Sequence, residues 1–176
     1  QRQGKIVDGN DVLNGDGPMA PNRSGNVPVM PIVKMCYSGQ YTLQQMKEKI
    51  SKTGGLVALL GTDNMLEIKE RIQKGDRWAA LVYDNFAYQL AKYIGSYACV
   101  MEGKVDAIVM TGGVSNDEQF IENVKKYAGW IAPFIVYGGD FEMEALASGA
   151  IRALNKEEKL KEYTGVPVWS GFDFEY

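Results

Sequence analysis

Apolar and polar positions along the chain follow two periods, and the longest helical period runs from Arg77 to about Met101. Large apolar side chains recur there every three or four residues, with small residues between them and few charges. A helix without a broad charged face is one that protein surrounds on most sides. The pattern therefore predicts a central core helix over residues 77–101.

Two shorter helices are predicted from their start signals. Thr42 followed by Gln45 is a capping-box pattern and predicts a helix to about Ser51. Asn64 followed by Glu67 repeats the pattern and predicts a helix to about residue 73, which Gly75 ends.

After residue 101 the period changes. Short apolar runs over 105–110 and 132–137 each end in a glycine pair, and a helical pattern follows each of them, with predicted caps at Ser115 and Asp140. Strands that alternate with helices in this way indicate an α/β fold with parallel strands. Residues 5–8 also have the pattern of a strand, so we expect the chain to start inside one, as an excised piece of a larger protein would.

The segments outside these elements differ in character. Residues 8–28 are dense in glycine, asparagine, aspartate and proline, a composition typical of a loop with special backbone angles. A loop of this length between structured segments is usually functional. Residues 155–176 are charged and then aromatic, which indicates a C-terminal tail that docks or is partly disordered.

Composition excludes several classes of function. With 176 residues, 45% of them hydrophobic, the chain can bury the core of one domain or lobe. A net charge of −3 disfavours nucleic acid and anionic membranes as partners, and no apolar run reaches the roughly 18 residues of a membrane span. The absence of histidine excludes histidine-based catalysis and nearly all zinc sites. Cys36 and Cys99 lie in apolar surroundings and are predicted to be buried, reduced thiols of an intracellular protein.

The two glycine pairs are the first candidate binding feature. Gly112–Gly113 and Gly138–Gly139 follow the two predicted strands, at the sheet edge where open α/β folds bind ligands. Without a Cβ, such a turn lets a ligand approach the backbone and the N–H groups of the next helix. Tight packing of the turn against the sheet explains either pair equally well.

Arg23 is the second candidate, because it is the only arginine in the loop over 8–28. A guanidinium group suits bidentate binding of phosphate or carboxylate. The alternative is a solvated side chain or a local salt bridge.

The third candidate is the acidic group Asp140, Glu142 and Glu144, which could hold Mg²⁺ beside phosphates or could simply complement a helix dipole. No Gly-x4-Gly-Lys-Ser/Thr loop and no protein-kinase signature is present, so those two nucleotide-binding solutions are excluded for this segment.

Longer stretches of the sequence resemble the butyrate kinases. They are KIVDGNDVLNGDGPMAPNRSGNVPVMPIVKMCYSG, AYQLAKYIGSY, VDAIVMTGGV and FEMEALASGAIRAL. The motifs NRSG, KYIGSY and TGGV are also similar to those of acetate kinases. Both groups belong to a superfamily of sugar kinases, actin and heat-shock chaperones. The resemblance implies a ribonuclease H-like, actin-like C-terminal lobe, here incomplete, spanning residues 1–176.

The resemblance also implies roles for individual residues. Arg23 falls on the catalytic arginine of the family, and Glu142 on its metal-associated glutamate, with Glu144 close enough to share the assignment. The nucleotide is expected against the adenosine motif and the loop before the helix at residue 65, that is, against Thr111, Gly112, Gly113, Val114 and Asn64. Asn64, Met65 and Leu66 depart from the residues that relatives carry in that loop, which puts the adenine-side contacts in question.

The implied reaction is ATP plus butyrate giving ADP and butyryl phosphate, with Mg²⁺ as cofactor, in the cytoplasm of a fermenting cell and in a homo-oligomer. Acetate, propionate and branched-chain acids are alternative substrates. The phosphate motifs and catalytic aspartate of the N-terminal lobe are absent, so we expect this segment alone to be inactive. The competing hypothesis is a non-catalytic nucleotide-binding or assembly module of the same superfamily.

Overall fold

The computed structural model describes residues 1–2, 4–139, 141–160 and 162–165, and the chain divides into two units, Gln1–Gly139 and Asp140–Tyr176. The elements of the first unit are α1 (Val29–Cys36), α2 (Leu43–Ser51), α3 (Gly55–Leu60), α4 (Met65–Gln73), α5 (Arg77–Val100), β1 (Ile108–Gly112), α6 (Glu118–Ala128) and β2 (Phe134–Gly138). The second unit contains α7 (Glu142–Leu154).

Helix α5 confirms the predicted long helix, and one of its faces forms the core of the first unit. That face carries Ala79, Val82, Tyr83, Phe86, Ala87 and Ala91 at helical spacing, all buried. It packs on α6, where the rings of Phe86 and Phe120 lie 4.5 Å apart between centroids. The expectation that protein surrounds α5 on most sides is wrong for this chain, because Trp78, Leu81 and Tyr88 are exposed.

The two strands form a parallel sheet, as the alternation of strands and helices predicts. Ile108 pairs with Phe134, and the register continues to Gly112 opposite Gly138. The first strand starts three residues later than the sequence predicts, at Ile108. Its Ile108 N–H donates to the carbonyl of Pro133, the residue just before β2 (2.9 Å). Proline has no N–H to extend the ladder further.

Local capping signals were reliable at α2 and α4 but not at α6. Thr42 and Gln45 form both hydrogen bonds of a capping box. Asp117, rather than the predicted Ser115, caps α6, and the Ser115 hydroxyl donates to the Thr111 carbonyl instead (2.9 Å). Ser115 belongs to a short 3-10 turn over Gly113–Asn116 that separates β1 from the helix.

Residues 8–28 form a loop, interrupted only by a 3-10 turn over Val12–Asn14. The predicted strand over residues 5–8 is absent: Lys5 makes an isolated bridge to Arg2, and no strand of the described residues pairs with Ile6–Asp8. The expected cap at Asp140 lies outside the described residues, as does most of the predicted tail, residues 161 and 166–176.

Both cysteines are exposed, so the prediction that they are buried is wrong. Cys36 ends α1, a helix that buries none of its residues, and Cys99 lies beside the buried Ala98 but points away from the face that packs on the core. Within the described residues, no helix is both long and apolar enough to cross a membrane.

Candidate active site

The loop that carries Arg23 is fastened to the junction between α2 and α3 by main-chain hydrogen bonds. They are Ser24 N–H to the Ile50 carbonyl (2.9 Å), Gly54 N–H to the Asn22 carbonyl (3.1 Å) and Val57 N–H to the Pro21 carbonyl (3.0 Å). Within the loop, the Ala20 N–H donates to the Arg23 carbonyl (3.1 Å). The backbone on both sides of Arg23 is therefore held by groups that no side-chain substitution removes.

A glycine completes this packing. Gly25 has a positive φ of 64°, and a Cβ there would lie 2.5 Å from the backbone of Pro18 and Met19. Only a residue without a side chain fits this turn of the loop.

The side chain of Arg23 has no partner among the residues that the structure describes. It is half-buried, and within the described part of the chain it makes no hydrogen bond and no ion pair. A local salt bridge, one alternative suggested by the sequence, is thus not formed with any described residue. A guanidinium group on a fixed backbone with all its donors free is suited to bind an anion.

A small polar cavity of about 180 Å³ lies between this loop and α5. Asn85, Gln89 and Tyr93, each four residues apart on α5, line it opposite Ser24 and Asn26. Further along α5, the Tyr97 hydroxyl donates to Asn10 in the same loop (2.8 Å). One side of α5 therefore faces the Arg23 loop along roughly three turns of the helix.

The turn after β1 is open on the side where side chains would stand. Gly112 has a φ of 85°, and a Cβ on Gly112 or on Gly113 would meet no heavy atom within 4 Å. Contacts with the described residues therefore do not explain this glycine pair, although the positive φ of Gly112 itself favours glycine, and no described side chain covers the surface beside the pair. Thr111 and Gly113 are exposed, whereas Val114 is partly buried and its side chain packs against the core.

Gly138, the first glycine of the second pair, has less space around it than Gly112 and Gly113. A Cβ on Gly138 would lie 2.6 Å from Oδ1 of Asn116, in the turn after β1. This close approach favours, for Gly138, the packing alternative suggested by the sequence, although the contacted atom is the end of a side chain that can rotate away.

A buried carboxylate holds the start of α6 behind the open turn. Asp117 is 8% exposed, and its oxygens accept from Lys69 Nζ of α4 (2.9 Å) and the Tyr83 hydroxyl of α5 (2.9 Å). The same carboxylate caps α6 by accepting from the N–H groups of Gln119 and Phe120. Burial raises the pKa of Asp117, but the hydrogen bonds from Lys69 and Tyr83 outweigh it and hold the pKa below its usual value. The sequence pattern did not reveal this group, because Lys69 and Tyr83 are 48 and 34 residues away.

Asn64 has a structural task in the described chain. Its side-chain oxygen accepts from the N–H of Leu66 (3.0 Å) and Glu67 (3.4 Å) and so caps α4. The Glu67 carboxylate accepts from the Thr62 hydroxyl instead of completing the capping box (2.8 Å). Only the amide nitrogen of Asn64 is left for a ligand.

Glu142 and Glu144 lie in the first turn of α7, in the second unit, and both are exposed. Among the residues that the structure describes, no three acidic, histidine or cysteine side chains form a metal-binding cluster. A single exposed carboxylate can supply one oxygen to Mg²⁺, which commonly takes its other ligands from phosphates and water.

Arg23, Asn64 and the turn Thr111–Val114 thus belong to one unit and Glu142 to the other. No hydrogen bond or ion pair joins the Arg23 loop directly to the open turn in the described residues. The loop bonds to α5 between Asn10 and Tyr97, and α5 bonds through Tyr83 to Asp117, which follows the turn. A further cavity, of about 550 Å³, lies at the start of β1, near Val7, Tyr97 and Ile108. Ligands of open α/β sheets bind at the opposite, carboxyl end of the strands, where the open turn lies. We therefore assign the candidate site to the open turn, and we add the Arg23 loop because the guanidinium of Arg23 has no partner among the described residues.

Comparison with known proteins identifies the family and the fold. A family model described as the acetokinase family matches residues 2–138. Acetate kinase from Porphyromonas gingivalis superposes with a TM-score of 0.70 at 25% identity, over 79% of this chain and 41% of that one. Two further structures show the same fold. A propionate kinase from Francisella tularensis gives a TM-score of 0.59 at 22% identity, over 70% of this chain and 38% of that one. Acetate kinase from Entamoeba histolytica gives 0.66 at 18% identity, over 78% and 43%. The chain thus corresponds to less than half the length of these relatives.

Proposed function

The chain belongs to the acetokinase family, and on this premise we propose that it is the C-terminal, actin-like nucleotide-binding lobe of a kinase that phosphorylates butyrate. The reaction is transfer of the γ-phosphoryl group of ATP to the carboxylate, giving ADP and butyryl phosphate. Butyrate is favoured over acetate and propionate by the long sequence stretches that resemble butyrate kinases. The N-terminal remainder supplies the other wall of the cleft.

The unpartnered guanidinium of Arg23 is the observation that carries the proposal. Phosphoryl transfer spreads negative charge over the moving group, and catalysis consists mainly of positioning and of stabilising that charge. A planar guanidinium can form two parallel hydrogen bonds to phosphoryl or acyl phosphate oxygens. Because no described residue forms a hydrogen bond or an ion pair with the Arg23 guanidinium, its donors are available to a ligand without breaking an existing interaction.

The open turn is the proposed nucleotide site. The missing side chains of Gly112 and Gly113 let adenosine approach the backbone between Thr111 and Val114, with the amide nitrogen of Asn64 as a further contact. Glu142 is the proposed protein ligand of Mg²⁺, whose charge would neutralise the nucleotide phosphates. The cytoplasmic location and the homo-oligomer remain predictions.

Substitution of Arg23 in the complete kinase that contains this chain tests the proposal. Arg23→Ala should lower kcat by about 100-fold or more, the scale seen when one preorganised charge stabiliser is removed. The KM for ATP should change far less, because the interaction strengthens as charge develops. Arg23→Lys should recover only part of the rate, since an ammonium group cannot form the fork.

Arg77→Ala is the matched control, because Arg77 is also unpartnered within the described residues but is exposed at the start of α5. It should leave kcat unchanged, and thermal melts should show that all variants fold. Normal turnover in Arg23→Ala would remove Arg23 from the mechanism, whereas absence of turnover in the unmodified complete protein would favour the non-catalytic module. A separate assay of the 176-residue segment with butyrate, ATP and Mg²⁺ should show no turnover.

A further inference from the structure

We infer that Gly54 is a positioning residue for Arg23: the absence of a side chain at the α2–α3 junction determines where the Arg23 backbone lies. This inference rests on the proposed role of Arg23 and adds a residue that acts through it.

Space, rather than backbone conformation, explains why glycine is needed at position 54. Its φ of −84° is accessible to any residue. A Cβ there would lie 2.4 Å from the Ser24 nitrogen and 2.9 Å from the carbonyl carbon of Arg23. These are main-chain atoms, which cannot rotate away as the end of a side chain can.

Gly55, the next residue, also lies against the backbone of the Arg23 loop. A Cβ on Gly55 would lie 1.8 Å from the Ala20 carbonyl oxygen, so this position also excludes a side chain. Gly55 has a φ of 56°, however, and any substitution there adds backbone strain to the steric effect. Gly54 is therefore the cleaner probe.

The hydrogen bonds determine what a displaced loop would do. The Gly54 N–H donates to the Asn22 carbonyl, and the Ser24 N–H donates to the Ile50 carbonyl near the end of α2. The residues on both sides of Arg23 are therefore hydrogen-bonded to the α2–α3 junction, where Gly54 lies. The methyl group that Gly54→Ala adds would collide with the backbone between these two hydrogen bonds. The loop must move away, and the guanidinium moves with it.

Displacement of a catalytic group by about 1 Å can reduce a rate on the order of 100-fold while substrate binding survives. We therefore expect Gly54→Ala to reduce kcat by about 10-fold to 100-fold, with the KM for ATP within about twofold because the Gly112–Gly113 turn is untouched.

A double-mutant cycle in the complete kinase tests the inference. The variants are Gly54→Ala, Arg23→Ala and the double variant, with Gly95→Ala as control, since a Cβ on Gly95 in α5 meets nothing within 4 Å. If Gly54 acts through Arg23, Gly54→Ala should cause no further loss of kcat once Arg23 is alanine. A full additional loss in the double variant, or normal turnover in Gly54→Ala, would overturn the inference. Normal turnover in Arg23→Ala would overturn the proposed role of Arg23 and this inference with it, and absence of butyrate phosphorylation in the unmodified kinase would overturn the proposed function.

Hydrogen exchange in the unmodified kinase provides a test that does not depend on the variant folding. The N–H groups of Ser24, Gly54 and Val57 should exchange at least about 100-fold more slowly than those of an unstructured loop, because all three are hydrogen-bonded across the junction. Exchange at the unstructured rate would show that the junction does not hold the loop, and the inference would be wrong.

Discussion

Removal of the Asp117 carboxylate should destabilise the first unit by about 2–5 kcal/mol. The N-cap of α6 accounts for about 1 kcal/mol of this. The Tyr83 hydroxyl, left buried without an acceptor, accounts for about 1–3 kcal/mol. The ion pair with Lys69 adds under about 1 kcal/mol, because the Lys69 side chain is 36% exposed and water screens the pair.

Asp117→Asn is the matched control for Asp117→Ala. Asparagine is as good an N-cap as aspartate and can still pair with the Tyr83 hydroxyl, so only the charge facing Lys69 is lost. We expect it to cost about 1 kcal/mol at neutral pH. Urea unfolding followed by tryptophan fluorescence gives both free energies of unfolding from the midpoints.

The pH dependence gives a second readout of the same group. Since the folded-state pKa of Asp117 is lowered, its charge stabilises the fold above the unfolded-state pKa of about 4. This contribution is lost as the pH falls through the lower, folded-state pKa. The difference between the native protein and Asp117→Asn should therefore disappear in acid. An alanine variant as stable as the asparagine variant, or a difference between native protein and Asp117→Asn that persists in acid, would refute the reasoning.

Three further predictions follow from the glycines and the thiols. Gly113→Val should change the free energy of unfolding by less than about 0.5 kcal/mol, because the added side chain meets open space, but it should weaken Mg·ADP binding in isothermal titration at least about 10-fold; unchanged affinity would remove the turn from the nucleotide site. Gly25→Ala should cost at least about 2 kcal/mol more than Gly39→Ala in urea unfolding, because both glycines have a positive φ but only Gly25 faces backbone at 2.5 Å; equal costs would show that the loop can relax. Cys36 and Cys99 should both react with a thiol reagent in the folded 176-residue chain, and protection of either would contradict their exposure.

The parts of the fold that were predictable are those specified by neighbours in sequence. The capping box at Thr42 and the apolar spacing along α5 act within one or two helical turns, so each could be recognised without knowing the rest of the chain. The start of α6 could not be recognised in this way. Ser115 has the better local pattern, but Asp117 reaches partners on two other helices and becomes the cap.

In the candidate site, too, the predictable features are those specified by neighbours in sequence. Composition predicts that residues 8–28 form a loop and draws attention to Arg23, and the glycine pair at 112–113 follows a strand as predicted. The sequence alone does not distinguish the two glycine pairs, because the difference between open space beside Gly113 and contact beside Gly138 arises only in three dimensions. The close packing of Gly54 against the Arg23 loop could not be predicted from the sequence for the same reason.

Because main-chain hydrogen bonds hold the Arg23 loop to the α2–α3 junction, several side chains of the loop can change without changing its backbone geometry. The carbonyls of Pro21 and Asn22 and the N–H of Ser24 make the bonds to the α2–α3 junction, and those groups are the same in almost every amino acid. The side chain of Asn22 is exposed and that of Ser24 bonds only to the next carbonyl. A protein engineer could therefore vary these two side chains to alter the charge or shape of the surface beside the guanidinium while the guanidinium itself stays in place.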